Sequence, residues 1–282
     1  NADVPGGYAE ASAFTALMAS HYAPLAPAGD PGEAWTRAIA RTTRAEDVGL
    51  VFAAGFLEDA QVVQYLARRL LHQGLRAHCL QPAQLEWHDD TPRFGGRALG
   101  ALVRFYQAEW LAGQLPKPGW HHYLGLAATP VFNPATCITI ESKRFPLVWD
   151  RLRSTTLATW RQLLPCSVDP REAPWRHDDT WLLKTALCNT GDTVSVRALM
   201  TPARWGRVAR SARWFPGGWV AQRRFQPLPL ETPIGPAFPC IGVYTIDGRA
   251  CGAYVRLSLG PIVDYAAVDV ALLLEQDNAA QS

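Results

Sequence analysis

The sequence contains little lysine and no long apolar run. Of its 27 basic residues, only Lys117, Lys143 and Lys184 are lysines. Arg supplies the rest of the positive charge, which suggests that a retained Lys marks a site that needs a compact ammonium ion. No apolar segment approaches the roughly 18 residues that span a bilayer, and no basic-then-apolar leader is present, so we expect a soluble protein without membrane association.

Other absences exclude further classes of protein. The six cysteines contain no Cys-x-x-Cys pair, which favours reduced thiols and a cytoplasmic protein. The net charge of +2 argues against nucleic-acid binding, which normally requires a large positive excess. The chain begins at Asn1 without an initiator Met, so we expect it to be processed or cut from a longer protein. Nothing in the sequence indicates the oligomeric state.

The composition is that of a folded protein with more than one structural layer. Apolar residues make up 48% and charged residues 18% of the 282 residues, the balance of a globular chain of one large domain or two lobes. An apolar run at residues 48–54 predicts a buried strand, and a helical pattern at 58–73 is ended by Gly74. Residues 76–80 are predicted as the following strand, and the order strand, helix, strand implies a parallel sheet. Further helices are predicted at residues 9–21, 34–44, 101–111 and 145–164, and a strand end at 131–134.

The second half of the chain changes to β-type patterns. Strands are predicted at residues 180–185, 193–199, 219–225, 239–246 and 249–256, and the Asp247-Gly248 pair predicts a hairpin turn between the last two. The Trp-rich stretch 205–219 is interpreted as a loop or small subdomain, and residues 264–275 as a helix. The fold class is therefore α/β (α+β), with a parallel unit followed by a mostly antiparallel sheet.

A series of short motifs follows the order found in one enzyme family. They are Asn1-Ala2-Asp3-x-Pro5-Gly6, Phe56-Leu57-Glu58-Asp59, Phe105-x-x-x-Glu109-Trp110, Asn133-Pro134, Ser142-Lys143-x-x-x-Leu147-x-Trp149, Leu183-Lys184 with Gly191, Val220-Ala221-Gln222, and Ile241-Gly242-Val243 leading to Gly252-x-x-x-Arg256. Across most of its length the chain resembles glutathionylspermidine synthase-type enzymes, which are carboxylate–amine ligases of the ATP-grasp class. The resemblance implies a metal and substrate segment at 1–45, a preATP-grasp unit at 46–135 and a nucleotide-binding lobe at 136–282.

Four residues are predicted to bind the nucleotide. The resemblance implies that Lys143 and Lys184 contact phosphate, that Gly191 belongs to a loop closing over the phosphates, and that Gln222 lies at the adenine pocket. Lys143 precedes a predicted helix, whose amino end favours phosphate, although it could be an ordinary exposed Lys. Lys184 interrupts an apolar strand, where an ammonium ion must reach water or meet an anion. Within the loop, Cys188 and Asn189 stand where the family usually has Gly and Arg.

The resemblance also assigns the reaction, its cofactors and its partners. The expected reaction uses ATP and Mg²⁺ to join a small-molecule or peptide carboxylate to an amine through an acyl phosphate. Arg256 is the expected catalytic residue, stabilising the oxyanion of the tetrahedral intermediate. Asn1 matches the last residue of a Glu-x-Asn metal motif, so we expect metal ligands before residue 1 and no turnover without them.

Glu58 and Asp59 allow two interpretations. The family implies an anionic pocket for the amine substrate, whereas two carboxylates in the first turn of a helix also complement the helix dipole. Alternatives remain open for the whole chain as well. It could be a degenerate ATP-grasp protein that binds a nucleotide or partner without catalysis, or an unrelated two-lobed α/β protein.

Overall fold

The computed structural model describes residues 3–53, 55, 57–113, 120–125, 127–154, 157–188 and 191–275. Within these residues the chain forms seven α-helices: α1 Thr15–Ala19, α2 Pro31–Thr42, α3 Leu57–His72, α4 Glu109–Gly113, α5 Ile138–Glu141, α6 Leu157–Leu163 and α7 Pro202–Trp214. It also forms seventeen strands: β1 Ala26–Pro27, β2 Asp47–Phe52, β3 Arg76–Leu80, β4 Glu86–His88, β5 Thr91–Phe94, β6 Arg97–Ala98, β7 Ala101–Phe105, β8 Val131–Phe132, β9 Ser167–Val168, β10 Trp181–Thr185, β11 Val194–Ser195, β12 Trp219–Arg223, β13 Leu230–Thr232, β14 Gly235–Ile246, β15 Arg249–Ser258, β16 Val268–Val270 and β17 Leu273–Leu274.

The chain divides into two compact units. The first unit contains Asn1–Ile138, Cys240–Arg256 and Asp269–Ser282, and the second contains Thr139–Pro239 and Leu257–Val268. The functional division at residues 45 and 135 stays a prediction. No helix in the described part of the chain is both long and apolar enough to cross a membrane.

A parallel sheet of order β3-β2-β7-β8 forms the centre of the first unit. Side chains alternate across β2, so Val48 and Leu50 face α2 and α3, and Val51 joins a second apolar cluster on the other face. A strand buried on both faces reads as one continuous apolar run, which is the pattern that the sequence shows at this position. The parallel strand, helix and strand predicted for residues 48–80 are confirmed.

The helix predicted at residues 101–111 is wrong. Its first half is the buried strand β7, which pairs with β2 and β8. A short apolar run cannot be assigned to helix or strand by periodicity alone, and here pairing on both edges decides for a strand. The preceding polar stretch forms the small antiparallel sheet of β4, β5 and β6.

The hairpin β14–β15 is confirmed and the helix predicted after it is wrong. Asp247 and Gly248 have φ angles of 51° and 74°, the paired positive values that a two-residue type I′ turn requires. Residues 264–275 form β16 and β17 instead of a helix, and β17 pairs antiparallel with β1 near the start of the chain. Distant strand pairing therefore overrides the local preference of an Ala- and Leu-rich segment for a helix.

An antiparallel sheet of order β11-β10-β12-β9 forms the centre of the second unit, which confirms the predicted change to β-structure. The Trp-rich stretch predicted as a loop is instead helix α7 followed by β12. Thr201 caps α7 by accepting a hydrogen bond from the Arg204 backbone N–H, and Pro202 occupies its first turn. Residues 193–199 form β11 and a 3₁₀ turn rather than one strand.

Candidate functional site

The two faces of the sheet in the second unit have different partners. Leu183 and Ala221 face α7 and pack in an apolar cluster with Trp175, Trp181 and Ala212. Lys184 is the next residue along β10, so its side chain leaves the opposite face, between Val194 on one neighbouring strand and Val220 on the other. The alternation of β10 therefore directs Lys184 away from the helix-covered core.

Lys184 is a half-buried cation without a counter-ion in the described part of the chain. No carboxylate among those residues lies within ion-pairing distance of it. Burial lowers its pKa, and the positive charge of Lys143 lowers that pKa further. Two ammonium groups close enough to repel each other make this face attractive to an anion with several charges.

Lys143 lies over the loop that follows β10. Its backbone N–H donates to Ala186 O at 2.8 Å, and its Nζ donates to the carbonyl oxygen of Cys188. Ala186 N–H in turn donates to Gly218 O at 2.8 Å, which anchors the loop to the segment before β12. The long helix predicted after Lys143 is instead a 3₁₀ segment, Phe145–Arg151, and the short helix α6, so the amino end that follows Lys143 is that of a 3₁₀ segment and not of a long α-helix.

Gln222 lies on the same face of the sheet as Lys184. It is opposite Leu182, which is two residues before Lys184 on β10. Its Nε2 donates to Ser167 Oγ at 3.1 Å, whereas its buried Oε1 has no hydrogen-bond partner among the described residues. A buried acceptor of this kind is costly unless a ligand donates to it, and the amino group on an adenine edge is such a donor.

Gly191 is required by close packing. A Cβ at this position would lie 2.1 Å from Val263 O, a distance that no side chain tolerates. This close packing requires glycine at position 191 whether or not the loop binds phosphate. Asn189 and Thr190, between Cys188 and Gly191, lie outside the described residues.

Arg256 belongs to the first unit, on β15. Its Nε is 3.7 Å from Asp269 Oδ1, and Tyr254 Oη donates to the same oxygen at 2.6 Å. The Arg256 side chain is mostly buried. Its guanidinium therefore lies within ion-pairing distance of a carboxylate that accepts a hydrogen bond from Tyr254.

Glu58 and Asp59 occupy the first turn of α3, the helix that follows β2 in the chain. Burial raises the pKa of Asp59, and the neighbouring charge of Glu58 raises it further. A helix dipole alone would lower this pKa, so burial and repulsion outweigh it. No cationic partner for either carboxylate appears in the described residues, and this arrangement suits a positively charged amine.

The buried ion pair of Arg104 with Asp3 was not predicted from the sequence. Arg104 lies on β7 with a fully buried side chain, and its Nη2 donates to the Asp3 carboxylate. The signal was an Arg inside the apolar run Ala101–Phe105, because a buried Arg needs a partner. Asn1, the predicted metal ligand, lies outside the described residues, and within them no group of three or more His, Cys, Asp or Glu side chains could hold a metal ion.

Comparison with known families decides the classification. A family model described as glutathionylspermidine synthase preATP-grasp matches residues 1–274. The chain belongs to this family. The resemblance seen in its motifs is thereby confirmed, and membership in the glutathionylspermidine synthase family places the chain among ligases. A search of curated proteins gave no significant match.

Proposed function

We propose that the protein is an ATP-dependent ligase that joins a carboxylate to an amine through an acyl phosphate. The observation that carries this proposal is the pair of ammonium groups of Lys184, on β10, and Lys143, over the loop that follows β10. Lys184 and Lys143 repel each other, and neither has a carboxylate partner in the described part of the chain. A polyphosphate supplies the negative charges that such a pair lacks.

The same face offers a position for the base of the nucleotide. Gln222 carries an unsatisfied buried oxygen, and Lys184 lies on the same side of the sheet. In this proposal the Gln222 amide accepts a hydrogen bond from the adenine amino group while the two lysines neutralise the phosphates. Gly191 allows the loop backbone to pack closely, and amides of that loop are further candidates to donate to phosphate.

The chemistry follows from these roles without a nucleophilic side chain. A carboxylate oxygen of the substrate attacks the γ-phosphorus of ATP, and ADP leaves as the acyl phosphate forms. The amine nitrogen then attacks the acyl carbon, and phosphate leaves when the tetrahedral intermediate collapses. Positioning and charge neutralisation are the contributions of the protein. We propose Arg256 for the oxyanion of that intermediate, and Glu58 with Asp59 for the cationic amine.

Mg²⁺ remains an expectation from the family. The described residues hold no cluster that fits a metal ion, and we derive no step through one.

Nucleotide affinity tests the proposal. Lys184→Met should weaken ATP binding by about 1.5–3 kcal/mol, roughly 10- to 150-fold in Kd, because a charge-assisted hydrogen bond to phosphate is lost. Arg207→Met is the matched control, since Arg207 lies exposed on α7, which packs on the opposite face of the sheet. Isothermal titration calorimetry measures both. Equal ATP affinity in the wild type and Lys184→Met would contradict the proposal.

A second candidate function is nucleotide binding without turnover. The sequence of the loop favours it, because Cys188 replaces a Gly of the family and its carbonyl oxygen accepts a hydrogen bond from Lys143. Release of ADP by the full-length protein separates the two functions. Release that requires both a carboxylate and an amine supports the ligase, and affinity without release supports the binding protein.

A further inference from the structure

Arg144, the residue after Lys143, makes contacts with two separate segments of the second unit, the start of β12 with the residues before it and the residue that follows β9. Its Nη1 donates to Pro216 O at 3.0 Å and to Trp219 O at 2.6 Å, and its Nη2 donates to Asp169 Oδ2 at 2.9 Å. The Arg144 side chain is 25% exposed and that of Asp169 only 7%. The Arg144 guanidinium is thus partly buried, and these three hydrogen bonds join it to two backbone carbonyl oxygens and one buried carboxylate.

The segments that Arg144 contacts are those that hold the proposed nucleotide residues. Trp219 begins β12, the strand that carries Gln222 and pairs with β10 beside Lys184. Asp169 directly follows β9, whose Ser167 accepts the hydrogen bond from Gln222.

Holding the Lys143 ammonium in one position has an energetic cost. Its ammonium is repelled by that of Lys184, and a Lys side chain loses about 2 kcal/mol of rotamer freedom when it is held in one geometry. Its backbone is already tied to Ala186, and Arg144 fixes the adjacent peptide against β12. Hydrogen bonds from Arg171 and Arg144 hold the pKa of Asp169 well below its usual range, so its carboxylate is ionised. Its negative charge compensates the positive charge that Arg144 brings close to Lys143.

We infer that Arg144, oriented by Asp169, is a positioning residue that holds the Lys143 ammonium beside Lys184 for binding phosphate. This inference rests on the proposed function. The requirement is for Arg rather than Lys, because only a planar guanidinium reaches the two carbonyl oxygens and the carboxylate at once. A preorganised ammonium pair binds a polyphosphate with less loss of side-chain entropy than a mobile one.

The test measures ATP affinity in single and double variants. Arg144→Gln and Arg144→Lys should each weaken binding about tenfold, since they leave Lys143 present but remove the hydrogen bonds that tie the next residue to β12 and Asp169. Combined with Lys143→Met, Arg144→Gln should add little further loss, because both changes remove the same contribution. A purely structural role would give losses that multiply.

Arg171→Gln is the matched control. Arg171 contacts the same carboxylate, with Nε 2.8 Å from Asp169 Oδ1, but it is 73% exposed and none of its hydrogen bonds in the described residues reaches the Lys143 or β12 segments. It should leave ATP affinity unchanged. Thermal unfolding of each variant checks that the fold is intact, and the conservative Arg144→Lys serves if Arg144→Gln does not fold.

The outcomes are distinct. If Lys143→Met and Lys184→Met bind ATP as the wild type does, the proposed function fails and this inference fails with it. If those two variants bind weakly while both Arg144 variants match Arg171→Gln, only the positioning role is overturned. Fully multiplicative losses in the double variant would also overturn it.

Discussion

Replacing Arg104 by Met should destabilise the protein more than any exposed charge substitution. The fully buried guanidinium donates to Asn133 O at 2.7 Å, Pro134 O at 3.3 Å and Asp3 O at 3.2 Å, as well as to Tyr106 O and the Asp3 carboxylate. Met fills much of the space but leaves the Asp3 charge buried without its cation. Removing one partner of a buried pair costs about 3–5 kcal/mol, roughly a fifth or more of the 5–15 kcal/mol stability of a typical domain.

Urea unfolding followed by Trp fluorescence measures this loss. Arg41→Met is the matched control in the same unit, because Arg41 pairs with Asp247 at the surface, where the two side chains are 61% and 66% exposed. Such a pair contributes about 0–1 kcal/mol. The double variant Asp3→Leu with Arg104→Met should recover much of the loss, since no buried charge remains. If Arg104→Met costs no more than Arg41→Met, the buried pair does not anchor the amino-terminal segment.

Three further predictions concern the proposed site. Because the pKa of Lys184 is lowered in the folded protein, its charge destabilises the fold at pH values below that pKa, and this cost disappears as the pH rises towards 10.5. Bound ATP should raise the pKa of Lys184 again, so Lys184 should take up a proton when ATP binds at alkaline pH. Calorimetry in buffers of different ionisation enthalpy measures this uptake, and Lys184→Met should abolish it. Uptake that persists in the variant would contradict the prediction. Glu58→Gln combined with Asp59→Asn should raise the KM for the amine with ATP affinity unchanged, whereas equal loss of both would indicate a helix-capping role. Gly191→Ala should lower the free energy of unfolding by about 1–3 kcal/mol, because the added Cβ would overlap a backbone oxygen. Gly217→Ala is the control and should cost little, because Gly217 faces open space. Equal melting temperatures of the two variants in thermal unfolding would refute the close packing at Gly191.

The elements predicted correctly from the sequence have local signals that agree with their tertiary surroundings. β2, α3 and β3 combine an apolar run, a helical stripe and clear turns. β2 and the apolar stripe of α3 are buried, whereas β3 is the edge strand and only its Leu80 is fully buried. The β14–β15 hairpin is specified by two turn residues with positive φ. In these segments the local pattern and the final packing favour the same structure.

The elements predicted wrongly depend on partners far along the chain. β7 is a strand because β2 and β8 flank it, and residues 273–274 form a strand because residues 26–27 pair with them. The residues proposed to act in the site show the same limit. Lys184 was identifiable because an ammonium inside an apolar strand is conspicuous, whereas Arg144 gives no local signal. The role proposed for Arg144 rests on acceptors 25, 72 and 75 residues away.

A crystal structure of the chain with a non-hydrolysable ATP analogue tests the central claim most directly. We predict phosphate oxygens within about 3 Å of both Lys143 Nζ and Lys184 Nζ, and a purine amino group donating to Gln222 Oε1. Nucleotide bound at another surface, with the two lysines directed away from its phosphates, would contradict it.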